Sequence, residues 1–375
     1  MMRLLRISML ALVVVAGCSK PLELPDTKPD TSILVLEGDI VTGTDMENTV
    51  LLSRVRSLQD TTPSPESNAR VEIVSKTGGN WPLTMTDAGK YTATATIPAD
   101  NELSLHVQTA DGSQYETPFQ ASKPSPPIDS VTFRQEKPNE VTIYVHSHDP
   151  SNNTRYYRWS AEETWERTSS FQSLYNFDGA SIVPKAVGEQ NYTCWRTQPT
   201  NTIVIANTLN LAQDVISYQP VTTIQSSTEK IYVRYSILVK QIALSRESYD
   251  FWNTLRKNTE LTGSLFDPQP SQYQTNITCT NNAGRRAIGF VSVSGTSEKR
   301  LFIRNSEVNS WPTFDPAVSC SAIELSRSGA EDFLKSNPNF LVAYFITAGG
   351  GFAVAPQACV DCRLTGGDVI KPSFW

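Results

Sequence analysis

The chain has 375 residues, 39% of them apolar and 19% charged, with a formal net charge of −6 and three His. That length is enough for two or three packed domains, and the composition is globular rather than disordered or collagen-like. The negative charge argues against nucleic acid, whose phosphates are bound by Lys and Arg, and three His without a dense acidic cluster argue against a multi-metal enzyme.

Residues 1–17 (MMRLLRISMLALVVVAG) carry Arg3 and Arg6 ahead of a short apolar run. The run is too short to span a bilayer, which takes about 20 apolar residues, and it fits a secretory signal peptide. Val15-Ala16-Gly17-Cys18 then resembles a bacterial lipobox, in which the sulfur of Cys18 is acylated and becomes the new N-terminus. Cys18 is therefore the expected lipidation site, and acyl chains there would anchor the protein to a membrane. The rest of 18–31 holds three Pro and few apolar residues, the composition of a semi-extended tether.

From residue 32 the texture changes to short alternating runs at 32–42, 50–57, 69–76, 90–97 and 102–109. Each is rich in β-branched and aromatic residues and bounded by turn formers. Asp87-Ala88-Gly89 and Asp111-Gly112 are turns in which Gly supplies positive φ. This spacing predicts an immunoglobulin-like or prealbumin-like β-sandwich over 32–123. Lys123-Pro124-Ser125-Pro126-Pro127 interrupts the pattern, because Pro holds the chain extended and cannot sit inside a sheet. Further strands at 128–135, 140–148, 154–166, 201–210 and 230–243 predict a larger β-rich domain over 128–375, large enough to subdivide. One helix interrupts it, capped by Ser245, with Tyr249, Trp252 and Leu255 on one face. A shorter helix is expected over 330–336, stopped before Pro338. The fold class is mainly β with one or two short helices.

Beyond Cys18, five Cys remain at 194, 279, 320, 359 and 362. Export favours disulfides, and the odd number leaves one thiol over. The expected pairs are Cys194 with one of Cys359 and Cys362, and Cys279 with Cys320. Cys359-Val360-Asp361-Cys362 has redox spacing but lacks the βαβ setting of a thioredoxin motif, and no second half completes a zinc site. His146 and His148 share a strand face without a third metal ligand. Glu162 and Glu163 point to opposite faces and cannot pair as the acid and base of a glycosidase. No G-x-S-x-G elbow occurs, and Gly349-Gly350-Gly351 lacks the Lys and helix of a phosphate loop. No catalytic residue, cofactor or metal site is therefore assigned. Aromatics crowd residues 156–165, and core packing accounts for most of them. Trp159, Trp165 and Trp252 are the candidates for stacking on a glycan or peptide ligand.

Several segments together resemble a Bacteroidota lipoprotein family known as a domain of unknown function (DUF4249). They are Asp149-Pro150, Arg155-Tyr156-Tyr157-Arg158-Trp159, Glu163-Thr164-Trp165, Tyr249-Asp250-Phe251-Trp252, residues 263–271 (GSLFDPQPS), Asn276-Ile277 and Ile288-Gly289-Phe290. At the end come Cys359-Val360-Asp361-Cys362-Arg363, Gly366-Gly367 and Lys371-Pro372-Ser373-Phe374-Trp375. The resemblance implies an outer-membrane lipoprotein with an N-terminal sandwich and a larger β domain, often encoded beside a TonB-dependent transporter. It carries over no catalytic residue. The expected location is the outer membrane, at the cell surface rather than the periplasmic face, although Ser19-Lys20-Pro21-Leu22-Glu23 is a weak version of the acidic stretch seen in surface-exposed lipoproteins. The expected function is a non-catalytic binding or accessory module beside such a transporter in nutrient capture. The alternatives are an adhesive, fimbrial-anchor-like surface protein, or a hydrolase with an unrecognised site.

Overall fold

A computed structural model of the chain describes residues 30–56, 60, 62, 64–260, 274–311 and 320–375. The leader, Cys18, nearly all of the tether and residues 263–271 lie outside the described residues. The protein is mainly β. No helix among the described residues is long and apolar enough to cross a membrane.

The first body begins at Leu34–Gly38, which pairs antiparallel with Ile40–Arg54. The ladder continues through Lys90–Ile97, Asn80–Asp87, Arg70–Ser75, Glu102–Gln108 and Gln114–Glu116, all antiparallel. Asn80–Asp87 pairs on both sides, so the ladder folds over around a core that includes Leu36, Leu52, Ile73, Tyr91 and Leu105. Alternation explains the packing, since every second residue of a strand faces inward. The two expected turns form, with φ of 70° at Gly89 and 83° at Gly112. Residues far downstream complete this body. Thr278–Cys279 pairs with Gln114–Glu116, Ala287–Ile288 runs parallel to Leu34–Gly38, and Ile277 and Val291 enter the core.

The second body is a sandwich. Asp214–Gln225, Glu140–Asp149 and Ile128–Lys137 form one antiparallel sheet. Tyr156–Thr168, Arg234–Ala243 and Val293–Arg304 form the other, with Thr193–Pro199 at its edge. Val141, Ile143, Val145, Trp159, Tyr235 and Ile237 fill the space between. Val293–Arg304 joins the two bodies. Its first residues run parallel to Ile40, Val41 and Thr42, and from Thr296 it pairs with Arg234–Ala243. One hydrogen-bonded sheet therefore runs through both bodies.

Helix α1 (Arg246–Glu260) follows Ser245, whose Oγ accepts from the Ser248 amide at 3.1 Å. Its buried residues are Ser248 and Phe251, with Tyr249 and Trp252 half-buried beside them. Helix α2 (Arg327–Ser336) starts three residues earlier than expected because Ser326 caps it, accepting from the Gly329 amide. It covers a C-terminal layer built from Ile323–Leu325, Gly351–Pro356 and Phe340–Ile346. Gly349 and Gly350 turn that hairpin, both at positive φ.

Two disulfides staple this layer: Cys194–Cys362, from the C-terminal segment to the edge strand Thr193–Pro199 of the second body, and Cys320–Cys359 within it. The first joins Cys194 to one of the C-terminal pair, as expected. The expected Cys279–Cys320 bridge does not form, and Cys279 stays a buried free thiol. The reason is placement: Cys279 is fixed by strand pairing in the core of the first body, whereas Cys320 packs in the C-terminal layer against Ala343, Ala353 and Ala355. The two thiols of the Cys359-Val360-Asp361-Cys362 segment thus go to different partners.

Candidate functional site

The two bodies meet around residues 123–127 and the first residues of Val293–Arg304. The Pro-rich connection is bound in place there. The Lys123 amide donates to Val293 O at 3.1 Å, and its carbonyl accepts from the Gly295 amide at 2.9 Å. Fully buried Gln241 donates to Pro126 O at 2.7 Å and to Ser147 Oγ at 3.0 Å, while its own Oε1 accepts from Trp159 Nε1 at 2.9 Å. Buried polar groups are satisfied in this way because an unpaired one is costly.

A second fixed unit is the loop after Asp149. The Asp149 carboxylate accepts from the amides of Ser151, Asn153 and Thr154 and from the hydroxyls of Ser151 and Thr154. Burial opposes its ionisation, but these donors hold it well below the usual carboxylate range. Asp214 locks the same loop by accepting from the Arg155 amide at 2.8 Å and from Thr208 Oγ1 at 2.7 Å. Lys123 closes the unit, donating through Nζ to Thr154 O and Leu244 O, each at 3.0 Å. Burial pushes the Lys123 ammonium down, against the attraction of Asp214, Asp149 and Glu247.

A lock between the bodies sits beside it. Arg158 pairs with Asp39, and its guanidinium lies 4.1 Å from the centre of the Trp252 ring. Phe251 packs on Phe290 at 5.6 Å, and the hydroxyls of Ser248 and Ser292 meet at 2.7 Å. Between these units opens a cleft of about 700 Å³, with Pro118, Ala121, Phe290 and Val293 among its apolar walls. Its charged side chains among the described residues are Lys123 and Glu247. Hydrogen bonds from its own amide and from Ser245 hold the Glu247 carboxyl below its ordinary value. Lys123 is thus fixed in place by Thr154 O and Leu244 O, while Glu247 is exposed at the rim. Chemically the cleft offers apolar walls, one bonded ammonium and one exposed carboxylate.

The chain belongs to the family described as Domain of unknown function (DUF4249), whose model matches residues 20–300. No curated protein matches the chain. Among solved structures, a two fibronectin type-III domain segment from chicken tenascin matches at 14% identity and a TM-score of 0.16, covering 56% of this chain and 89% of its own. Within the DUF4249 match, several of the described motif residues gather at the junction, whereas Glu163 and Trp165 lie in the second body. Asp149 and Arg155 fix the loop, Arg158 and Trp252 form the lock, and Trp159 binds Gln241. Asn276 pairs with Val291 through both its Oδ1 and Nδ2. Gly289, at φ 138°, lies so near Leu36 that a Cβ would fall 2.0 Å from its carbonyl oxygen. The C-terminal motifs lie beyond the matched residues.

The other sequence candidates are placed separately. Trp159 and Trp165 lie in the second core, and Trp165 Nε1 donates to Glu229. The half-buried Trp252 ring faces Arg158 rather than open solvent alone. Glu163 is buried, accepting from Lys230 Nζ at 2.6 Å and Tyr235 OH at 2.8 Å. His148 binds Asp129 at 2.8 Å and His146 meets Thr132 at 2.9 Å, so the two imidazoles have different partners. No group of three or more His, Cys, Asp or Glu among the described residues is placed to hold a metal ion. Sequence reasoning missed an exposed aromatic cluster around Tyr144 and Tyr218. Strict alternation in residues 141–148 puts Tyr144 and His146 on one outward face, a signal that was available. The unusual backbone of Tyr218 was not.

Proposed function

We propose that the protein is an outer-membrane-anchored lipoprotein that acts as a non-catalytic binding or accessory module beside a TonB-dependent transporter in nutrient capture. The observation that carries this reading is the junction cleft: a preformed space of about 700 Å³ whose Lys123 ammonium is held by two backbone carbonyls. A frame of this kind suits recognition, because ordering costs are met before a ligand arrives. The lipobox at Cys18 and the Pro-bearing stretch after it support the location.

Two measurements test the proposal. Mass spectrometry of the protein from native membranes should find an acylated Cys18 at the N-terminus, and Cys18→Ala should release it to the soluble fraction. Cross-linking in native outer membranes should recover a transporter, and Ala121→Trp, which fills the cleft, should abolish transporter-dependent uptake while leaving the protein folded. An unmodified Cys18, or a cross-link set without a transporter, overturns the reading.

A further inference from the structure

The solvent face of the sheet formed by Ile128–Lys137, Glu140–Asp149 and Asp214–Gln225 carries a cluster of aromatic and charged side chains. Val141, Ile143 and Val145 point into the second core, so Tyr144 and His146 point out. Opposite them the pairing with Asp214–Gln225 slips twice, between Ile143 and Tyr144 and between Val145 and Ser147. Such bulges re-aim side chains and are common beside functional sites. Tyr218 lies in the slipped segment at φ 52°, a conformation that a bulky side chain rarely adopts. Its ring serves no core, because Tyr218 is 48% exposed. Strain kept at an exposed side chain points toward function rather than packing.

The neighbours hold this ring in one orientation. The Arg134 guanidinium lies 3.9 Å from its centre. The His146 ring meets it edge-on at 4.6 Å, and the Tyr144 ring does so at 5.9 Å. His146 is itself fixed: Nδ1 accepts from the Tyr218 amide at 3.4 Å, which leaves Nε2 to donate to Thr132 Oγ1 at 2.9 Å. Tyr144 OH donates to Glu136 at 2.7 Å. The positive Arg134 and negative Glu136 cancel. The face thus combines an exposed, pre-oriented aromatic ring with donors and acceptors and little net charge.

We propose that Tyr218, with Tyr144, His146 and Arg134, forms a stacking site for a neutral saccharide unit. The C–H face of a sugar ring packs on the exposed part of the Tyr218 ring that Arg134 leaves uncovered, and its hydroxyls meet Arg134 and Glu136. A charged ligand would find only half of this set useful. A proline-rich peptide would use the rings but not the paired donor and acceptor. None of these four residues lines the junction cleft, and the site needs neither anchor nor transporter to bind.

The test is affinity electrophoresis of the detergent-purified full chain through gels containing starch, xylan, glucomannan or a soluble β-glucan. At least one should retard the protein. Tyr218→Gly removes the ring and relieves the backbone, so its melting temperature should be unchanged or higher while retardation falls about tenfold, the scale of one aromatic contact. Tyr144→Ala should weaken retardation less. Lack of retardation by all four polysaccharides overturns the proposal. So does retardation unchanged in Tyr218→Gly, or ring-dependent binding found only with a proline-rich peptide. None of these results alters Cys18 acylation or the cross-linking outcome, so the two proposals fail separately.

Discussion

The first body and the C-terminal layer hold themselves together by different means. The first body has one broad core, with nineteen buried residues among the described ones, and its single thiol, Cys279, stays unpaired. The C-terminal layer has two thin cores of six and five buried residues, one on each side of its sheet, and both disulfides. Small cores do not bury enough apolar surface to hold a fold alone, and covalent staples make up the difference. Glycines fit the staples closely: a Cβ on Gly367 would lie 2.4 Å from Cys194 Cβ.

The largest expected effect breaks the layer at its staples. Cys194–Cys362 closes a loop of 168 residues and Cys320–Cys359 one of 39. Loop-closure entropy assigns them about 5 and about 4 kcal/mol. The paired change Cys194→Ser with Cys362→Ser should therefore raise hydrogen exchange sharply across residues 340–356. Exchange across residues 70–108 should stay as it was. Equal acceleration in both regions would mean that the layer and the first body unfold as one unit.

Next in size is the lock that couples the first body to the second. Arg158→Met leaves the largely covered Asp39 carboxylate without its partner, a loss of about 3 kcal/mol. Scanning calorimetry should show the main transition moving down and splitting as the two bodies separate. A single unshifted transition would mean that the shared strand Val293–Arg304 suffices to couple them.

A smaller effect is expected inside the broad core. Leu105→Ala should cost roughly 3 kcal/mol in chemical denaturation, in the usual range for a buried Leu. Reductant should add little to that loss in the first body, because no disulfide closes there.

The same contrast explains what could be read in advance. Alternation and Gly turns marked most of the first body's strands, because a half-buried sheet imposes period two on its sequence. Asn80–Asp87 escaped notice because Pro82 and its polar neighbours do not read as a strand. The junction was legible only as motifs, since nothing local tells that Arg158 will meet Asp39 across 119 positions. Cys279 was paired wrongly because its position depends on a ladder to Gln114–Glu116, a contact made more than 160 residues away in sequence. Tyr218 was invisible for another reason: a left-handed Tyr contradicts every local preference, so only the assembled sheet reveals it.

The smallest expected effect is electrostatic and falls on the turn that joins those distant segments. Asp111 accepts from Thr109 Oγ1 at 2.6 Å and from the Ser113 amide at 3.1 Å, and Arg285 reaches it at 2.9 Å from the returning chain. The Thr109 hydroxyl and the Ser113 amide, aided by Arg285, pull its carboxyl down to about 2. Because the folded value lies below that of the unfolded chain, this stabilisation is complete above about pH 4 and is lost as pH falls toward 2. Asp111 is more than a third exposed, so solvent screening limits its worth to about 1 kcal/mol or less. Acid titration of the melting temperature should therefore fall slightly more steeply in the native protein than in Asp111→Asn, and only between pH 4 and 2. Hydrogen exchange across residues 340–356 should be the same in both proteins, because Asp111 binds the returning chain to the first body alone.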